Sequence, residues 1–363
     1  MNLTKSLRAR TLLGLIVATV LLALVFIRTN LSSVFDALKD VQLIYLPPAM
    51  ALLALSVWFQ ALRWRCLLRP LVDVSTRRLY PVVFVGHLGN SVVPLRAGEL
   101  LRALILKRRE GVSRMAALST LVAERAFDGL ALTGLLIVFA ATVDSSNRLW
   151  QLSAASGGLF GLTAGVLIIA AINEEKASSI ADAVIDHLPA RSRAHLRRWF
   201  RSFLTGIAAL RTLSGLTTVL LTTAAFWFTI GLVSAIVGEA FNMHEGFDTY
   251  LLVTAVANLS VSIPSSQGGV GPFEFFVRET LVFSGIAAPL ATAYGLVLHA
   301  TILLTMIIAG IVSLRVIGVS LDLVAKPQGA ADADDGMTPA TSLPAETSVY
   351  RRAGEEASPP DTA

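Results

Sequence analysis

The chain has little of what a soluble enzyme is built from. It contains one cysteine, Cys66, which excludes an internal disulfide and any multi-cysteine zinc or iron–sulfur site. Charged residues make up only 15% of its 363 residues, against about 25% in ordinary soluble proteins. No paired nucleophile and base and no His-Glu metal spacing stands in the sequence, so nothing calls for a cofactor or a metal, and catalysis has little support. What fills the space is apolar: hydrophobic residues are 54% of the chain and mean hydropathy is +0.68. That is the composition of a polytopic membrane protein. The net charge of +5 is carried in clusters between apolar runs, with no soluble domain to present them, so nucleic acid is not an expected partner.

Lys5, Arg8 and Arg10 precede an apolar run from Thr11 to Ile27. The run is longer than a signal-peptide core and lacks a small-residue cleavage site, so it is read as an uncleaved first helix. Further spans are expected at Leu43 to Leu62, Met115 to Val143, Ser153 to Ile172, Leu213 to Val237 and Leu290 to Val316. Arg63, Arg65, Arg69, Arg77 and Arg78 read as a cytoplasmic loop by the positive-inside rule, and so do Lys107 to Arg114 and Arg191 to Arg211. In the last of these, Leu196, Trp199, Phe200, Phe203, Leu204 and Ile207 fall opposite Arg193, Arg197, Arg198 and Arg201, which predicts an amphipathic helix lying in the membrane interface. Gly157, Gly158, Gly161 and Gly165 predict close helix contact in their span. Residues 1–325 therefore form the membrane domain, and 326–363, poor in large apolar residues, a disordered cytoplasmic tail.

Two apolar pieces are broken. Tyr80 to Leu95 is short and punctured by Gly86, Gly89, Asn90 and Pro94; Tyr250 to Phe283 is interrupted by PSSQGGVGPFE from Pro264. Loop charges place both ends of the first piece inside and both ends of the second outside. The expected fold is thus all-α, a polytopic transmembrane helix bundle with two oppositely oriented re-entrant helical hairpins, in the cytoplasmic (inner) membrane. Irregular backbone at that depth is tolerated only when buried in protein or lining a water-filled cavity.

The polar residues near these breaks are the candidate site. If a helix enters the bilayer near Met115, a rise of about 1.5 Å per residue puts Glu124 roughly 14 Å deep. Left unpaired, Glu124, Arg125 and Asp128 would cost on the order of 8 to 10 kcal/mol there. The helix itself offers pairing, with Glu124 and Asp128 on one face and Arg125 three residues before Asp128. A structural ion pair and a ligand-binding polar cavity both fit that pattern. On the second reading Arg96, Arg102 and Arg125 meet an anionic group, Glu99, Glu124 and Asp128 hold those arginines and exchange a proton, and Asn90 marks the first break. In the second break, Gly268, Gly269 and Gly271 allow close backbone approach, and Pro272 opens a helix whose amides could hold a phosphate. Glu274 could instead complement that helix end, or carry a proton if buried. His87 and His299 lie in apolar surroundings and receive no role.

Four ordered pieces carry a resemblance: RWRCLL at Arg63 to Leu68, GNSVVPLRAGELLR at Gly89 to Arg102, Glu124 with Arg125 and Asp128, and PSSQGGVGPFE at Pro264 to Glu274. Over roughly Leu12 to Val316 the chain resembles a flippase-like membrane family related to the transmembrane region of lysylphosphatidylglycerol synthases, a group that includes parts of archaeal dolichol-phosphate sugar enzymes. The resemblance implies translocation of a lipid with a charged or phosphorylated headgroup, so the expected partner is a membrane lipid, anionic or polyprenyl-phosphate. In the synthases aminoacyl transfer belongs to a separate soluble domain that this sequence does not contain, so synthesis is not carried over. The alternatives are a membrane-embedded transferase acting on a polyprenyl-phosphate lipid and an accessory subunit of an envelope lipid pathway.

Overall fold

The computed structural model describes residues 2–27, 29–92, 98–142, 147–260 and 267–319, and every regular element among them is helical. In chain order these are α1 (Asn2–Ile27), α2 (Leu31–Lys39), α3 (Leu46–Leu68), α4 (Thr76–Val92), α5 (Gly98–Glu110), α6 (Arg114–Thr142), α7 (Asn147–Ile172), α8 (Glu174–Ile185), α9 (Ala190–Gly206), α10 (Leu213–Glu239), α11 (Phe247–Ser260), α12 (Pro272–Phe283) and α13 (Ala288–Val316). Arg96 and the expected tail lie outside the described residues.

Among the described residues, Leu43–Leu68, Ser153–Ile172, Leu213–Glu239 and Ala288–Val316 are long and apolar enough to cross a membrane, and α1 with α2 adds a fifth if they count as one bent span. Pro47 and Pro48 open α3 without harm, because the first turn has no intrahelical acceptors for the amides they lack. The polarity of the bundle is the reverse of a soluble core. On α7 the exposed side includes Leu159, Leu162, Val166 and Ile169, whereas Arg63, Glu124, Asp128 and Thr223 are buried inside. Lipid takes the first face, and the interior holds what lipid cannot solvate.

α3 packs along α10 at the centre, and α6 lies against both, with α5 and α11 also touching it. Around α6, two expectations need correction. Of the four glycines expected in close contact, Gly158 and Gly165 meet nothing within 4 Å, while a Cβ on Gly157 would stand 3.3 Å from the Thr133 side chain of α6, as expected; the tightest approach of α6 and α7 is at Gly129, whose missing Cβ leaves room for the Phe160 ring. And the apolar side of α9 is covered largely by protein rather than lipid: Leu204 and Ile207 are fully buried, with Phe200 and Phe203 packed on a cluster that includes Leu67, Ala123 and Phe127. Trp199 alone of the six apolar positions stays exposed. α8 supplies Asp182 and Asp186 to Arg197 of α9 at 3.0 and 2.5 Å.

Both broken pieces are units of two helices, and residues 93–97 and 261–266 of their connections lie outside the described residues. Gly86, Gly89 and Asn90, expected at the first break, lie within α4. α4 and α5 run antiparallel, and Gly98 makes their contact possible: a Cβ there would stand 1.9 Å from the Gly86 carbonyl oxygen. The Gly98 amide is capped by the Asn90 side-chain oxygen at 2.9 Å. Backbone cannot retreat as a flexible side chain can, so Gly98→Ala should cost at least about 1–3 kcal/mol. Thermal unfolding of the purified protein checks this, and an unchanged midpoint would refute the tight crossing. In the second unit, α11 and α12 pack on each other and the turn between them lies against α4. Gly268, Gly269 and Gly271 take φ of 71°, 81° and 102°, the left-handed region that side chains avoid.

Candidate functional site

α3, α5, α6 and α10 converge on one buried polar cluster. Glu124 and Asp128 do share a face of α6, as their spacing implied, but their partners come from other helices. The Arg102 guanidinium of α5 donates to both oxygens of Glu124, each at 3.1 Å. The Arg63 guanidinium of α3 donates to both oxygens of Asp128, at 2.7 and 3.2 Å, and to Thr223 of α10 at 2.8 Å. Trp227 on α10 gives Asp128 a further hydrogen bond at 3.1 Å. Two forks therefore meet two carboxylates in the geometry that makes such pairs strong.

Aromatic rings cover the pairs. The Trp64 ring lies 4.2 Å from the Arg102 guanidinium, and Phe226 lies 5.8 Å from that of Arg63. Both arginines are sealed, at 4% and 0% side-chain exposure, so each guanidinium depends on its carboxylate for solvation. Glu124 also receives the Gln60 amide at 2.5 Å, and the Gln60 carbonyl oxygen takes the ring N–H of His87 at 2.8 Å. A carbonyl only accepts, so His87 is protonated on Nε2.

Arg125 is different. Its side chain is 48% exposed, and it stands 3.7 Å from Glu99, 3.6 Å from Glu124 and 3.6 Å from Asp128. Among the described residues it donates no hydrogen bond. Glu99, 25% exposed, is reached by the Asn90 side-chain amide at 3.4 Å. Three arginines thus face three acids, two pairs closed and one guanidinium open.

The second group of predicted residues gathers elsewhere, at the glycine turn. Glu274 accepts the Gly271 amide at 2.7 Å and touches Nδ1 of His299 at 2.6 Å, while Nε2 of His299 is 3.0 Å from the Gly268 carbonyl oxygen. The turn approaches the first unit at Ser91: a Cβ on Gly268 would be 3.7 Å from the Ser91 carbonyl oxygen.

Sequence reasoning placed Arg63 in a cytoplasmic loop, yet it is fully buried inside α3, five residues before that helix ends. The available signal was Gln60, a polar residue three positions earlier on the same helix face inside an apolar run. Thr223 and Trp227, four apart on α10, carried no signal of their own, and the two histidines left without a role are both bonded in these networks.

The family model for the lysylphosphatidylglycerol synthase TM region matches residues 11–310, which include every group above. The chain belongs to that family. It is accordingly a multi-pass membrane protein. It is 27% identical to glycosyltransferase AglD of Haloferax volcanii, over 86% of this chain and 55% of AglD. It is also 27% identical to a UPF0104 membrane protein of Methanothermobacter thermautotrophicus, over 60% of this chain and 67% of that protein. The chain thus spans about half the length of AglD. No solved structure matches it.

Proposed function

We propose that this family member is a lipid translocase of the cytoplasmic membrane, moving a lipid with a charged or phosphorylated headgroup between leaflets, and that Arg125 meets the headgroup. Arg125 itself is the support: it is the open guanidinium in a cluster whose other two are closed by carboxylates. A phosphate offers the paired oxygens that a guanidinium fork matches. Glu99 and Asp128 hold Arg125 from either side without consuming its N–H groups. Arg96 is proposed as a second contact from the break between α4 and α5. The glycine turn, lying against α4, is proposed as the opposing wall, the two units entering the membrane from opposite faces as inverted repeats do around a midplane site.

The test is leaflet translocation of a fluorescent anionic lipid in proteoliposomes. Movement no faster than in protein-free vesicles would end this reading. The transferase alternative draws on the name of AglD, and one assay separates the two: a transferase returns a polyprenyl-phosphate lipid chemically changed, a translocase returns it unchanged on the other side.

The proposed orientation puts α9 in the cytoplasm. A cysteine at Ser192, exposed on that helix, should resist membrane-impermeant thiol reagents in intact cells. Labelling from outside would invert the arrangement.

A further inference from the structure

We propose that Glu274 and His299 form a proton-binding site that ties down the glycine turn, and that loss of its proton releases the turn. His299 faces two acceptors. The Gly268 carbonyl oxygen can only accept, so Nε2, 3.0 Å away, carries a hydrogen. A proton also lies between Nδ1 and Oε1 of Glu274, because two bare lone pairs do not approach to 2.6 Å. It sits on nitrogen, giving imidazolium and carboxylate, or on oxygen, giving imidazole and carboxylic acid. In either form the pair holds one proton more than a neutral imidazole beside a carboxylate.

That proton is linked to the backbone at both ends. The imidazole holds Gly268, and the other carboxylate oxygen holds the Gly271 amide at 2.7 Å. Without it, the remaining imidazole hydrogen serves Gly268 or Glu274 but not both. One tie is then replaced by a repulsion between lone pairs. The two side chains are only 4% and 7% exposed, and the Phe273 ring is stacked on the imidazole at 4.2 Å, so water has little access to mend the loss.

Charged and titratable groups on the surrounding helices have other partners or lie elsewhere. On α12, Arg278 bonds Thr29 and pairs with Glu279. Tyr250 of α11 donates to the Met243 carbonyl, and Tyr294 of α13 to that of Ser234. His87 of α4 is bonded to Gln60, Arg63 of α3 to Asp128, and Asp36 of α2 to Lys39. Asp248 opens α11 at the end away from the break, Glu239 closes α10, and Arg315 lies in the last turn of α13, more than four turns from His299. α1 meets the turn through uncharged Ala18.

The experiment is hydrogen–deuterium exchange of residues 268–275 in the full chain, in lipid nanodiscs, corrected for the intrinsic pH dependence of amide exchange. The closed turn binds the extra proton, so its stability is present at low pH and lost as pH rises. Over the pH range in which the closed turn keeps the proton and the open turn does not, the corrected opening constant of the wild type should climb about tenfold per pH unit, one proton leaving per opening. Glu274→Gln should remove that slope, since the new amide donates to Nδ1 of a neutral imidazole while its oxygen still accepts from Gly271. All three bonds then persist without the extra proton. A flat wild-type profile, or equal slopes in both proteins, would overturn the proposal. If melting shows that Glu274→Gln does not fold, the wild-type slope decides alone. No lipid movement is measured in this readout, so its failure and failure of the translocase reading are separate results.

Discussion

Changing Arg125 to lysine or to glutamine is expected to slow leaflet translocation of an anionic lipid by about 10- to 100-fold, with the melting temperature of the purified protein nearly unchanged. The large kinetic effect follows from what the open guanidinium offers. Charge-assisted hydrogen bonds are worth about 1.5–3 kcal/mol each, and lysine keeps the charge but loses the planar fork. The small effect on stability follows from the same openness. Arg125 is half-exposed and its acids stand at 3.6–3.7 Å without a hydrogen bond, an arrangement worth about 0–1 kcal/mol. Wild-type translocation in a well-folded Arg125→Gln protein would remove this residue from the mechanism. Impairment by glutamine but not by lysine would leave a charge requirement and discard the fork.

The buried pairs should behave in the opposite way. Arg63→Met is expected to destabilise the protein by about 3–5 kcal/mol, because it leaves Asp128, only 7% exposed, with the Trp227 N–H and the more distant Arg125 in place of its paired guanidinium. Asp128→Leu strands Arg63 in turn, leaving it Glu124 at 3.4 Å and the Thr223 hydroxyl. The double change Arg63→Met with Asp128→Leu should recover most of either loss, since neither charge is then left alone. Unfolding in mixed micelles measures all three. If the single effects simply add in the double variant, the pair is not coupled and the geometry around Asp128 is misread. This also shows why Arg125 must be changed by itself. Making Glu124, Arg125 and Asp128 apolar together, attractive if the three acted as a closed set, would orphan both Arg63 and Arg102 in the interior and cost the fold whether or not the cluster binds lipid.

Much of the architecture was legible because membrane spans are written in consecutive residues. The runs expected from Leu213 and Leu290 correspond to the apolar spans α10 and α13 within a few residues. The run from Met115 is the helix α6, which carries buried charges and is not among the described helices long and apolar enough to cross a membrane. Gly268, Gly269 and Gly271 do fall between α11 and α12, whereas Gly86, Gly89 and Asn90, read as breakers, are carried inside α4. Periodicity likewise put Glu124 and Asp128 on one face of α6. α9 was visible as an amphipathic helix but not as a packed one, because a hydrophobic stripe looks the same whether lipid or protein covers it.

The choice of partners was settled only in three dimensions. Helical spacing says which side chains share a face, not which face of which distant helix comes to meet them. Arg63 sits among Arg65 and Arg69 in sequence, so local charge density assigns it to a loop; packing of α3 against α10 and α6 carries it inward to Asp128. The isolation of Arg125 is equally a tertiary result, since it exists only because Arg102 and Arg63 reach the neighbouring carboxylates first. His299 and Glu274, 25 residues apart, become a pair because α12 folds back along α13. Sequence alone determined a membrane-embedded helical chain with charges at depth. Tertiary structure decided which of those charges are closed and which is open, because ion pairing between helices depends on distances that no local pattern contains.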